Sequence, residues 1–164
     1  MSAAVRPALA GDLAAMASIY SYYVESTPQT FDLDPPSAAD WRERWEVARE
    51  AERPWFVTEA DGGVVGFVLM SGFRPKAAYA RTVECTIYLD PAAVGDGLGR
   101  PLYEAALAEA ARRGFHVAVA GITLPNRGSV ALHQSLGFER VGVFREVGHK
   151  LGEWRDVSWW QRML

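Results

Sequence analysis

One stretch constrains this chain more than any other: Thr82-Val83-Glu84-Cys85-Thr86-Ile87-Tyr88-Leu89-Asp90, then Gly95-Asp96-Gly97-Leu98-Gly99-Arg100. Val83, Cys85, Ile87 and Leu89 alternate with Thr82, Glu84, Thr86 and Tyr88, which predicts a strand over 82–90 with two unlike faces. Past the glycines, Leu98, Leu102, Ala105, Ala106 and Ala110 recur at helical spacing until Gly114. Pro101 is tolerated there, because the N–H groups of a first turn have no helical partners. A strand that passes through a glycine turn into a helix belongs to a sheet of mixed α/β architecture.

The same two periods organise the rest. A short strand is expected over 5–9, and Leu13, Met16, Ile19, Tyr20 and Tyr23 mark a helix after Gly11-Asp12. Residues 27–36, broken by Pro28, Pro35 and Pro36, form an irregular segment of the kind that often touches ligands. Ser37 opens a second amphipathic helix over 40–52, carrying Trp41, Trp45 and Ala48 and stopped by Pro54. β-rich runs over 55–60 and 64–70 flank Asp61-Gly62-Gly63, a hairpin signal. A strand over 117–124, a short helix over 126–136 closed by Gly137, and strands over 139–149 and 155–163 complete the order βααβββαβαββ. Two β-α crossovers imply a mixed sheet with a parallel pair inside it. Trp159 and Trp160 are adjacent on the last strand, so one points into the core and the other to an interface or the surface.

Length and charge narrow the function. The 164 residues suit a single domain over 1–164 that buries about 70% of the unfolded chain's surface. Seventeen Lys plus Arg against twenty Asp plus Glu give a net charge of -3, so no broad basic surface for nucleic acid is expected. No run approaches the roughly 18 apolar residues of a membrane span, and residues 1–6 lack the apolar core of a signal peptide. Cys85 is alone, which excludes an intrachain disulfide framework, and His116, His133 and His149 lack zinc-ligand spacing, so no metal site is expected. A protein of the reducing cytoplasm is the expectation.

The chemistry begins at the glycines. Backbone N–H groups of 95–100, together with the helix start, suit a pyrophosphate. The spacing is not Gly-x-Gly-x-x-Gly, no acidic residue follows about 20 positions later, and no Lys-Ser or Lys-Thr closes the turn, so dinucleotides and nucleoside triphosphates are disfavoured. Glu84 is an acidic residue inside a β-rich run, either an ion-pair partner or a proton acceptor for an ammonium nucleophile. Arg74, in a proline-bounded loop, is able to hold a carboxylate through two parallel hydrogen bonds. Asn126 is placed to cap the short helix, His133 suits a packed histidine within it, and Cys85 alternates to the face opposite Glu84, without an evident His partner for nucleophilic work. Tyr103 is not positioned to protonate a leaving group.

Taken in order, Gly72-Phe73-Arg74-Pro75, Ala78-Tyr79, 82–88, Gly97-Leu98-Gly99, 121–126, 129–133, Leu136-Gly137-Phe138 and Arg145-Glu146-Val147-Gly148 resemble the GNAT N-acetyltransferase superfamily. Within it, they resemble the phosphinothricin and methionine sulfoximine acetyltransferase group, over nearly the whole chain. The resemblance implies a GNAT-type fold, with a central twisted, mostly antiparallel sheet containing one parallel pair and about four flanking helices. It implies direct transfer from acetyl-CoA to the amino group of a small amino-acid-like substrate, in a homodimer. Glu84 would be the base and His133 a second acid-base group near the acetyl end. Tyr88, Leu89, Val94, Gly95, Asp96, Gly97, Leu98, Gly99, Arg100, Asn126 and Ser129 would hold the cofactor, with a backbone N–H near Leu89 polarising the thioester carbonyl. Phe73, Arg74, Thr82 and Val83 would form the substrate pocket, with His149 and Trp154 near it. Val94 departs from the family pattern, in which Gln or Arg opens the turn. Two rivals remain open: a non-catalytic CoA-binding or sensing module, and an acetyltransferase acting on a protein N-terminus or lysine.

Overall fold

The computed structural model describes residues 3–164, and its elements follow the expected order. Strand β1 (Ala4–Pro7) leads through α1 (Leu13–Ser26) and α2 (Ala38–Glu50) to β2 (Phe56–Ala60), β3 (Gly63–Gly72) and β4 (Thr82–Leu89). Helix α3 (Gly99–Arg112), β5 (Val117–Thr123), α4 (Arg127–Ser135), β6 (Glu139–Lys150) and β7 (Glu153–Met163) follow. These strands form one sheet in the order β1-β2-β3-β4-β5-β7-β6, with β4 parallel to β5 and every other pair antiparallel. Helix α3 supplies the crossover that the parallel pair needs. No helix among the described residues is long and apolar enough to cross a membrane.

Several boundaries shift from expectation by one to three residues, three of them for a clear local reason. β1 stops at Pro7, because the Leu9 N–H donates to Asp12 Oδ2 at 2.7 Å and opens a single helical turn before α1. α2 starts at Ala38, where Ser37 caps it: Ser37 Oγ accepts from the Asp40 N–H at 3.1 Å, and the Asp40 carboxylate takes the Ser37 N–H at 2.7 Å. β6 runs on to Lys150, because Leu151 and Gly152 turn the hairpin with φ of +54° and +77°.

The sheet separates two cores. On one face, α3 presses Leu102, Tyr103, Ala106 and Ala110, all fully buried, onto Val68, Met70, Val83, Cys85 and Ala118. On the other, α1 and α2 bring Met16, Tyr20, Tyr23 and Trp41 onto Val57 and Phe67. Burying a side chain such as Leu102 or Phe67 contributes about 1.5–3 kcal/mol, which is what pins the helices to their faces. Trp160 enters the α3 core, while Trp159 faces the other way and stays half-buried, as the two-residue period requires.

Candidate active site

β4 and β5 begin as neighbours and then part. Pairing joins Thr82, Val83 and Glu84 to Val117, Ala118 and Val119 and goes no further, although β4 continues to Leu89 and β5 to Thr123. Alternation of the backbone says which groups face the gap. The Asp90 N–H donates to the Val65 carbonyl at 2.8 Å, toward β3, so the N–H groups of Ile87 and Leu89 turn the other way. The Leu124 N–H donates to the Asp156 carbonyl at 2.9 Å, toward β7, so Gly121 and Thr123 face β4 across the opening. The Leu89 carbonyl accepts the Tyr23 hydroxyl at 2.6 Å, which leaves the Leu89 N–H as the donor aimed into the gap. A cleft of about 1120 Å³ results, bordered by two strand edges and suited to an extended amide-bearing ligand that bonds as an added strand would.

The glycine turn stands at the mouth of this cleft. Gly95 and Gly97 have φ of +98° and +76°, where a side chain costs roughly 1–2 kcal/mol, and this is what lets the chain fold back into α3. Leu98 caps α3 with no side-chain hydrogen bond, so the positive end of the helix is presented to an anion by backbone alone. Val94, Gly95, Gly97, Leu98, Gly99 and Arg100 line the cleft. Asp96 does not, because its N–H turns back toward the Ala93 carbonyl at 3.4 Å. Arg100 is tied to Glu104 one turn along α3, at 2.9 Å. Across the gap, Asn126 Oδ1 accepts the Ser129 N–H at 3.1 Å and so caps α4, and both residues line the cleft alongside Tyr88 and Leu89.

Glu84 sits where the strands separate, on the Tyr88 face of β4. Burial pushes its carboxyl above the usual carboxylate value, and the Arg74 guanidinium draws it part of the way back. Arg74 lies with its guanidinium carbon 4.5 Å from the centre of the Phe73 ring and donates to the Phe73 carbonyl at 3.2 Å. Phe73 in turn packs edge-on against Trp159, which lines the cleft with Arg74 and Glu84. Phe73 therefore supports the pocket from behind. A half-buried carboxyl with a raised pKa, lining a cleft with an arginine, has the character of a proton acceptor.

His133 is almost fully buried, and its bonding fixes its tautomer. Nδ1 is 2.7 Å from the Ser129 carbonyl, which only accepts, so Nδ1 carries the proton and Nε2 accepts the Tyr103 hydroxyl at 3.1 Å. Burial lowers the imidazole pKa, which favours the neutral ring, against the Ser129 carbonyl, which favours the charged one. Cys85 is buried in the same α3 core as Tyr103. Burial pushes the Cys85 thiol up to about 12, which makes it a poor nucleophile. Both ring nitrogens of His133 are engaged inside the protein, and the residue borders the cleft.

The model of one protein family matches residues 16–138, which include both strands that border the cleft and the glycine turn at its mouth: the acetyltransferase (GNAT) family. The chain belongs to this family. It is 38% identical over 164 residues to the phosphinothricin N-acetyltransferase of Streptomyces coelicolor, covering 98% of this chain and 95% of the relative. It is 37% identical over 161 residues to the L-methionine sulfoximine/L-methionine sulfone acetyltransferase of Salmonella typhimurium, covering 98% and 94%. Among solved structures, a GNAT superfamily phosphinothricin acetyltransferase from Sinorhizobium meliloti in complex with acetyl-CoA superposes with a TM-score of 0.95 at 35% identity, over 100% of this chain and 89% of that one. The chain is a GNAT N-acetyltransferase.

Within this GNAT fold, Arg74 lines the cleft, Phe73 stands behind it, and the two other expected pocket residues lie elsewhere. Val83 is fully buried in the α3 core, because alternation sends it to the face opposite Glu84. Thr82 shares the Glu84 face but lies at the closed end, where β4 and β5 still pair, and neither residue lines the cleft. His149 and Trp154 stack on each other at the tip of the last hairpin, ring centres 4.8 Å apart, outside the cleft. Residues not singled out from the sequence take their place. Thr27, Gln29, Thr30 and Phe31 come from the proline-broken segment, and Phe144 and Val147 from β6. The prolines were the only local sign of the first group; of the second, Val147 lies in a block that resembles the family and nothing local marks Phe144.

Proposed function

We propose that this protein transfers the acetyl group of acetyl-CoA directly to the α-amino group of a small amino-acid-like substrate of the phosphinothricin or methionine sulfoximine type. The observation that carries this is the position of Glu84, a half-buried carboxylate beside Arg74 at the point where β4 and β5 part. The glycine turn would take the pyrophosphate, and the facing edges of β4 and β5 would bond the pantetheine amides. Arg74 would hold the acceptor carboxylate and so set its amine near Glu84. As the amine nitrogen bonds to the thioester carbon, its proton passes to Glu84, the Leu89 N–H stabilises charge on the carbonyl oxygen, and the C–S bond breaks to release CoA thiolate. The protonated Cys85 thiol supports transfer without an acyl-enzyme.

The test is thiol release from acetyl-CoA across an amine panel that includes phosphinothricin, methionine sulfoximine, methionine sulfone and common amino acids, run with Glu84→Gln and Arg74→Ala. Turnover of an amino acid that is lost in Glu84→Gln, with a raised acceptor KM in Arg74→Ala, is the expected outcome. Binding of CoA without turnover of any amine would favour a sensing module instead. Sedimentation would test the homodimer expected from the family, and fractionation a cytoplasmic location.

A further inference from the structure

We propose that Lys150 is a positioning residue for the acceptor: it clamps the segment after α1 over the cleft, so that Phe31 becomes part of the wall against which an acceptor side chain rests. The inference rests on the acetyl-transfer reading of the cleft and names a device for acceptor binding within it. Lys150 ends β6 and is 4% exposed, unusual for an ammonium. Its Nζ donates to the Thr30 carbonyl at 2.8 Å and to the Tyr23 carbonyl at 3.4 Å. The Tyr23 carbonyl belongs to the last turn of α1, where Thr27 also caps it through its N–H at 3.3 Å and its hydroxyl at 2.9 Å, so the cation sits on the negative end of a helix. Burial lowers its pKa, and Asp32 acts in the other direction.

Burying an ammonium against carbonyls, when an apolar side chain would fill the same space, is costly unless the contacts hold something in place. What they hold is the 27–32 segment. The Tyr20 hydroxyl secures it from α1, 2.6 Å from Thr30 Oγ1 and donating to Asp32 Oδ2 at 2.7 Å, and the Tyr88 hydroxyl donates to the Gln29 carbonyl at 3.3 Å. Two residues before Lys150, Gly148 supplies the matching shape: a Cβ added there would run into the Phe31 ring. The same end of β6 carries a bulge between Phe144 and Gly148, pinned by the Glu146 N–H donating to Asp156 Oδ1 at 2.8 Å, and Phe144 and Val147 also line the cleft. The end of β6 thus joins, through the two Lys150 hydrogen bonds and the steric fit at Gly148, the parts that give the acceptor end its apolar wall. An amino acid with a neutral side chain on an apolar stem is the acceptor class that such a wall takes.

The experiment compares wild-type protein with Lys150→Met, Tyr20→Phe and Phe31→Ala, using methionine sulfone and alanine as acceptors. In Lys150→Met and Tyr20→Phe the methionine sulfone KM should rise about tenfold, equivalent to roughly 1.4 kcal/mol, with kcat and the acetyl-CoA Kd changed less than about twofold. Protease cleavage within 27–36 should rise in both, with or without acceptor. Phe31→Ala should erase most of the preference for methionine sulfone over alanine. Unchanged KM and unchanged protease protection in folded Lys150→Met would overturn the proposal, as would parallel losses of kcat and CoA affinity. If Lys150→Met does not fold, Tyr20→Phe decides by the same two readouts. If wild-type protein acetylates neither acceptor, it is the acetyl-transfer reading that fails, and the cleavage pattern still tests the clamp.

Discussion

Glu84→Gln keeps the shape of the side chain and removes its basicity. Positioned general bases contribute about 10²- to 10⁴-fold, so kcat/KM should fall by that factor, roughly 3–5 kcal/mol of transition-state stabilisation. The pH profile carries the sharper signature. Glu84 must be ionised to accept a proton, so the wild-type profile rises with pH through its pKa, and burial sets that limb above the ordinary carboxylate range. Arg74→Ala removes the cation that favours the ionised form, so the limb should move further up while the acceptor KM rises. Stability has the opposite sign. A carboxyl whose folded pKa is raised contributes stability that is fully present below its unfolded pKa and is lost as pH rises through the folded value. Glu84→Gln should therefore melt no lower than wild type at pH 8, which separates lost chemistry from lost folding. The assay is thiol release from pH 5 to 9 with saturating acetyl-CoA, beside thermal melts. A variant that keeps more than about a tenth of wild-type kcat/KM, or a limb unmoved in Arg74→Ala, would refute the assignment of the base.

Val94→Arg places a cation at the open start of the glycine turn, where Val94 is 60% exposed, and should tighten CoA about two- to fivefold at low salt, an exposed-pair effect that fades at high salt; titration calorimetry at two ionic strengths reads it. Gly97→Ala forces a side chain onto a φ of +76°, so about 1–2 kcal/mol of stability should be lost together with CoA affinity, measured by denaturant unfolding and by Kd. Tyr103→Phe strips the donor from His133 Nε2 in the fully buried core, and should cost about 1–3 kcal/mol by urea unfolding. Nitrogen NMR of wild-type His133 should show Nδ1 protonated across neutral pH; a protonated Nε2 would contradict the bonding described above.

Much of this architecture could be read along the chain because its signals are local. Leu102, Ala106 and Ala110 repeat at the spacing of one helix face, and they are the residues that α3 buries. Glu84 stood out because a carboxylate inside an apolar strand needs a reason to be there, and Asn126 because a helix start needs an acceptor. The misplacement of Thr82 and Val83 in the pocket has the complementary cause. Strand period says that Val83 and Glu84 point apart, but only the sheet says which face holds α3 and how far along β4 the partner strand departs.

By itself, then, the sequence determined the order of elements, the two-faced β4 strand, the glycine turn and the helix caps, since each depends on residues a few positions apart. Tertiary structure alone decided the rest. It parted β4 from β5 and so turned their edges into a cleft, joined Tyr103 of α3 to His133 of α4, and buried Lys150 beneath a segment more than a hundred residues earlier. Those contacts link chain segments with no period in common, and it is their packing and hydrogen bonding, rather than any local preference, that sets where each side chain ends.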